Sequence, residues 1–241
     1  MLFKQLFHRD TASYTYLIAC PDSRQAVLID PVASELSQYL ALLSAEQLTL
    51  RYALDTHIHA DHITASGQLR QQLHCAIATG TVTNNPCMDL TLEDQQQLSF
   101  ADNETLQVIA TPGHTEESVC FLWRDRLFTG DTLLINGCGR TDFQGGSASS
   151  QYQSIQRLFQ LDDEILVYPG HDYHQLRVSC IGQEKYNNPR LANKTEAEFT
   201  TLMAQLNLPY PKAIDIAVPA NQLAGCQATD NASISLSSPP A

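Results

Sequence analysis

Positive charge is scarce in this sequence: 14 Lys and Arg stand against 26 Asp and Glu over 241 residues, a formal net charge of -12. A phosphate-backbone partner needs a concentrated basic face, so no nucleic-acid partner is expected. Long apolar runs are also missing. None approaches the roughly 20 residues of a membrane span, so no membrane partner is expected. No signal-peptide pattern occupies Met1 to Arg9, which begins directly as a strand-like stretch. The expected location is cytoplasmic, or the mitochondrial matrix if a transit peptide precedes these residues. The seven cysteines (20, 75, 87, 120, 138, 180 and 226) are odd in number and contain no C-x-x-C pair, which excludes a disulfide framework as the expected scaffold. Cys20 and Cys120 lie in strand-like runs and read as small core residues, and Cys138 in Gly137-Cys138-Gly139 also reads as packing. An acidic surface repels anionic small molecules on average, so an anionic substrate needs locally placed cations. Arg140, Lys185 and Arg190 are candidates.

What the chain does have is histidine in one place. Thr56-His57-Ile58-His59-Ala60-Asp61-His62 sets three imidazoles and a carboxylate within seven residues, just after the apolar run Tyr52-Ala53-Leu54. Imidazole nitrogen and carboxylate oxygen suit zinc and iron, and a loop at a strand end can aim alternate side chains into one cavity. Three further pieces follow: Thr111-Pro112-Gly113-His114, Thr129-Gly130-Asp131 and Tyr168-Pro169-Gly170-His171. Each comes after a run rich in strand-forming residues, Thr105 to Ala110, Arg126 to Phe128 and Ile165 to Tyr168. Any one of these histidines taken alone is ordinarily a core or capping residue. Together, His57, His59, Asp61, His62, His114, Asp131 and His171 at four strand ends describe a metal site. His8 and His74 fall outside these loops and read as surface or packing residues. His174 is adjacent to the site and its role is open.

At 43% hydrophobic residues the chain sustains a substantial core. One domain over 1–227 is expected, with 228–241, which is Ser, Thr, Asn and Pro with few large apolar residues, as a disordered tail. Met1 to Phe7, Tyr14 to Cys20 and Gln25 to Asp30 read as strands, with a turn at Pro21-Asp22. Ser34 is expected to cap a helix running to about Ala45. Tyr52 to Asp55 is the next strand, then the metal loop, a helix from about Thr64 to Leu73 and a strand from Cys75 to Ala78. A polar stretch is expected through Gln97, followed by strands Glu104 to Ala110 and Val119 to Trp123 and a hairpin to Arg126 to Thr129. Gln151 to Leu161 and Glu196 to Leu206 read as helices. Two β-rich halves separated by helices imply an α/β fold in which two sheets pack face to face under outer helices, with the metal at their common edge.

The H-x-H-x-D-H loop with its three later ligand segments resembles the metallo-β-lactamase superfamily over roughly the first 175 residues. Its αββα sandwich of two mixed sheets and outer helices is the expected fold. Within it the chain most resembles the persulfide dioxygenases, through His57 to Thr64, Gly130 to Ile135, Gly137 to Phe143, Tyr168 to Tyr173, Asn188-Pro189-Arg190-Leu191 and Ala217-Val218-Pro219-Ala220-Asn221. Two departures stand out. Thr115-Glu116-Glu117 replaces a common Pro-Gly pair, and Leu223-Ala224 stands where the family often has Arg-Cys, so a role for that late cysteine is absent or displaced to Cys226.

The resemblance implies an iron-dependent dioxygenase that oxidises glutathione persulfide with O2 to sulfite and glutathione, in sulfide oxidation. It implies one ferrous ion per subunit held by His57, His114 and Asp131, a 2-His-1-carboxylate face with open positions. His59, Asp61, His62 and His171 then orient ligands and waters, or hold a second metal as in related hydrolases. Arg140, Tyr173 and Arg190 are the matched positions expected near the substrate. An Arg flanked by Gly139 and Asp142 can equally pin its own loop. The resemblance admits a homodimer. The alternative is a glyoxalase II type hydroxyacylglutathione thioesterase with two metals.

Overall fold

The computed structural model describes residues 1–80 and 87–226. Strict alternation builds its centre. In β2 (Ser13–Ala19), Tyr14, Tyr16 and Ile18 face one way and Leu17 and Ala19 the other. In β3 (Gln25–Ile29), Val27 and Ile29 oppose Ala26 and Leu28. Such strands are buried on both faces, and each therefore needs two partner layers.

The first sheet has the order β1-β2-β3-β4-β5-β6, with β1 (Leu2–His8), β4 (Thr49–Leu54), β5 (Ala76–Gly80) and β6 (Leu90–Leu92). The second has the order β12-β11-β10-β9-β8-β7: β7 (Gln97–Ala101), β8 (Glu104–Ala110), β9 (Val119–Trp123), β10 (Arg126–Gly130), β11 (Leu166–Pro169) and β12 (Ser179–Cys180). Both sheets are mixed, since β3-β4-β5-β6 and β10-β11 pair in parallel and the other neighbours are antiparallel. Tyr16, Ile29 and Leu54 from the first sheet and Val108, Phe121, Trp123 and Phe128 from the second form one shared cluster between them. Helices α1 (Leu36–Ala45) and α2 (Ser66–Leu73) cover the outer face of the first sheet through Tyr39, Leu43 and Leu69. Helices α3 (Ala148–Leu158), α4 (Ile181–Asn187) and α5 (Glu196–Ala204) cover the second through Ile155, Leu158, Ile181 and Phe199. A last helix, α6 (Ile214–Asn221), returns to the first half, where Ala224 joins the α1/α2 cluster. This is the αββα sandwich anticipated from the sequence.

Some local expectations need correction. Ser34 is not a helix cap: it lies in a 3-10 turn, Ala33–Glu35, and its hydroxyl meets His8 Nε2 at 3.1 Å. The stretch expected to be polar through Gln97, with no strand assigned to it, holds β6, and Gln97 itself opens β7. Helix α3 starts three residues before Gln151, because Ser147 accepts the Ser150 N–H as its N-cap. The proposed disordered tail lies outside the described residues. Among the described residues no helix is long and apolar enough to cross a membrane.

Candidate metal centre

Each expected ligand sits just past the C-terminal end of a strand: His57 after β4, His114 after β8, Asp131 after β10 and His171 after β11. Because β4 belongs to one sheet and the others to the second, the centre bridges both layers at their shared edge. His57, His114 and Asp131 each present a ligand atom, all within 4.8 Å of one another, and His59, Asp61 and His62 form a second such group. The His57 ring lies 4.2 Å from that of His59 and 4.8 Å from that of His114, centroid to centroid.

Hydrogen bonds fix the tautomers. His114 Nδ1 donates to the Arg140 carbonyl at 2.7 Å, leaving the Nε2 lone pair 3.6 Å from Asp131 Oδ2. The Thr56 hydroxyl donates to Asp30 Oδ2 and so accepts from His57 Nδ1 at 2.9 Å, which frees His57 Nε2. Burial holds the His57 imidazole well below its ordinary pKa, so it is neutral and fit to ligate. Burial likewise lowers His62, whose Nδ1 donates to Asp61 at 3.0 Å. His62 Nε2 and His59 Nδ1 are buried with no hydrogen-bond partner among the described residues. Two orphaned imidazole nitrogens beside a carboxylate cluster fit a bound cation.

His171 behaves differently. Its Nδ1 meets Asp131 Oδ1 at 2.7 Å and its Nε2 meets Asp61 Oδ2 at 3.1 Å. Burial alone would lower its pKa, but the two carboxylates push it well above the ordinary value, so both nitrogens donate. The same contact keeps Asp131 ionised: burial would raise its carboxyl, and the hydrogen-bonded His171 imidazolium holds it well below the usual range.

Glycine permits this packing. A Cβ on Gly139 would stand 2.7 Å from His114 Nδ1, and one on Gly170 would stand 2.7 Å from Asp131 Oδ1. Both positions need a residue without a side chain.

The expected substrate positions are placed as follows. Tyr173 is 65% exposed and stacks on His171, with centroids 5.6 Å apart and planes inclined by 9°. Arg140 forms a bidentate pair with Asp142 at 2.7 and 2.8 Å and donates to the Pro209 carbonyl. Arg190 donates to the Cys138 carbonyl at 2.6 Å, bracing the Gly137-Cys138-Gly139 turn. Lys185 pairs with Asp163, Cys138 is buried beside Met203, and Cys20 and Cys120 are core residues. His74 is an exposed left-handed residue ending α2, His8 bonds Thr11 and Ser34, and His174 is exposed.

Sequence reasoning missed four supporting side chains. Asp30, at the end of β3, bonds the Thr56 N–H at 2.7 Å and His59 Nε2 at 3.2 Å. Its strand-end position was a usable signal. Asp55, pushed up to about 6 by burial, accepts from Thr64 and Ser66. Glu117 Oε1 accepts the Ile58 N–H at 2.8 Å and Gln144 donates to the Ile58 carbonyl at 2.7 Å, so the residue between His57 and His59 is gripped from both sides. Neither has a local signal, because both act from loops distant in sequence.

The family model described as the metallo-beta-lactamase superfamily matches residues 8–171. The chain is 44% identical over 230 residues to the mitochondrial persulfide dioxygenase ETHE1 of Homo sapiens, covering 94% of this chain and 90% of that protein. It superposes on the crystal structure of ETHE1 from Myxococcus xanthus with a TM-score of 0.91 at 48% identity, covering 94% of this chain and 100% of that one. It is 36% identical over 179 residues to the hydroxyacylglutathione hydrolase of Tolumonas auensis, covering 73% of this chain and 68% of that protein.

Proposed function

The chain belongs to the metallo-β-lactamase superfamily and, within it, to the persulfide dioxygenases; from that premise we propose that it oxidises glutathione persulfide at one ferrous ion held by His57, His114 and Asp131. The observation that carries this reading is the contrast between two ligand sets. His57 Nε2, His114 Nε2 and Asp131 Oδ2 are turned toward one another by fixed tautomers, whereas both nitrogens of His171 are committed to carboxylates. Ferrous iron held by His57, His114 and Asp131 would supply open coordination positions for a persulfide sulfur and O2 and a means of overcoming the spin barrier to their reaction. Everything else falls to the protein. The Arg140 guanidinium grips Asp142, while the Arg140 carbonyl accepts from His114 Nδ1 and so sets that tautomer. The Tyr173 ring covers His171 and offers its hydroxyl to a substrate entering from solvent. Arg190, half-buried behind the Gly137 turn, supplies the cation for a glutathione carboxylate. Persulfide, O2 and water become glutathione and sulfite, with no protein nucleophile consumed. The cytoplasm, or the mitochondrial matrix, is the compartment we assign.

A thioesterase with two metals is the second reading, and the orphaned His59 Nδ1 and His62 Nε2 favour it. Metal analysis beside an oxygen electrode separates the two. About one iron per chain with O2 uptake on glutathione persulfide supports the dioxygenase; two metals with hydrolysis of an S-acylglutathione and no O2 uptake overturn it.

A further inference from the structure

The segment Ala217-Val218-Pro219-Ala220-Asn221 ends on a residue that reaches the metal loop. Asn221 is 3% exposed at the end of α6. Its Nδ2 donates to the carbonyls of both His59 and His62 at 2.8 Å, and its Oδ1 accepts the Thr64 N–H at 2.9 Å. Both amide donors and one acceptor site are therefore spent on a single turn, His59 to Thr64, at whose tip stands Asp61. A side chain arriving from 157 to 162 residues away takes the part that backbone pairing plays in a regular turn.

The docking of α6 does not depend on this amide alone. The Gly67 N–H donates to the Ala224 carbonyl at 2.8 Å, and Ala224 is buried in the cluster under α1 and α2. Asn221 thus projects from an anchored element toward the turn. From Asp61 the contacts continue: Oδ2 meets His62 Nδ1 at 3.0 Å and His171 Nε2 at 3.1 Å, and His171 Nδ1 meets Asp131 Oδ1 at 2.7 Å.

We propose that Asn221 is a positioning residue for the metal centre, fixing the His59 to Thr64 turn so that Asp61 holds His171 and, through it, the ligand Asp131. The role rests on the centre assigned above but not on which substrate it serves. Two variants separate it from simple packing. Asn221→Ala removes all three bonds; Asn221→Asp keeps the volume and the acceptor for Thr64 but removes both donations. Ile216→Ser, on the 70% exposed face of the same helix, is the control. The full-length chain is loaded with iron and the rate of metal release to a chelator is measured, together with the visible spectrum of the cobalt(II)-substituted protein and the melting temperature.

The expected result is release accelerated by about tenfold or more in both Asn221 variants, as for other groups that orient ligands, with a shifted cobalt(II) spectrum. Ile216→Ser should match wild type. Wild-type release and an unchanged spectrum in either Asn221 variant, whatever its melting temperature, overturn the proposal. So does failure of both Asn221 variants to fold while Ile216→Ser folds, since the amide would then serve the fold. A wild-type chain that takes up neither ion overturns the centre itself along with this role, which distinguishes the two failures.

Discussion

At the scale of single residues, the centre divides into groups with free lone pairs and groups that hold them. Asp131→Ala removes the one carboxylate of the proposed triad and leaves His171 without its closer partner. The variant should lose iron and O2 uptake while keeping the wild-type far-ultraviolet circular dichroism spectrum; retained iron at wild-type content would defeat the assignment. Asp61 meets His62 Nδ1 and His171 Nε2, and the mononuclear proposal gives it the task of holding them. Asp61→Asn should keep its iron and lose turnover by about 10 to 100-fold. If a wild type holding two metals drops to one in this variant, the mononuclear reading fails. Arg190 tests the substrate side. Removing a charge-assisted contact to a remote carboxylate costs roughly 1.5 to 3 kcal/mol, about one to two decades in affinity. Arg190→Gln should therefore raise KM for glutathione persulfide with little change in kcat, because ground and transition states lose the contact alike. An unchanged KM with a lowered melting temperature would reduce Arg190 to its brace on the Cys138 carbonyl.

Elements differ in how legible they were. The strands β2, β3, β8, β9 and β10 stood out because each is rich in β-branched, aromatic or other apolar residues that reach the core. His57, His114, Asp131 and His171 were visible because each follows a strand, β4, β8, β10 and β11 in turn. The final third was read less well for physical reasons. Helix α6 contains Pro219, which has no N–H to donate and whose ring argues against a helix interior. Helix α4 is capped by the thiol of Cys180, an acceptor outside the usual Ser, Thr, Asp and Asn set. Strand β12 is two residues long and exists by pairing with β11, so no period announces it. Helix α5 was found, and its start is a reciprocal capping box between Thr195 and Glu198. Thr195→Ala should cost about 1 kcal/mol of stability, read in urea unfolding, with KM and kcat unchanged. A change in turnover would mean that α5 communicates with the centre through α3, which it packs against.

At the scale of the molecule, the two sheets share one core and one centre, so events at the centre register in global stability. In the metal-free protein, burial would lower the His59 pKa, but Asp30 and Asp55 raise it to about 9, against 6.5 for a free imidazole. A folded-state value raised this way stabilises fully below about pH 6.5 and loses that contribution as pH climbs through 9. The melting temperature of the metal-free chain should accordingly fall between pH 6.5 and 9, and Asp30→Asn should flatten the fall. A profile that is already flat in the wild type would show that the His59–Asp30 pair does not carry charge in the fold. The crowded glycines have a consequence of another kind. Gly139 and Gly170 possess no functional group, yet any methyl there would press on His114 or Asp131. An unbiased survey of tolerated substitutions should therefore score both positions as intolerant as the ligands themselves, and inherited or laboratory lesions at either would present as loss of metal chemistry in a chain whose reactive side chains are all intact.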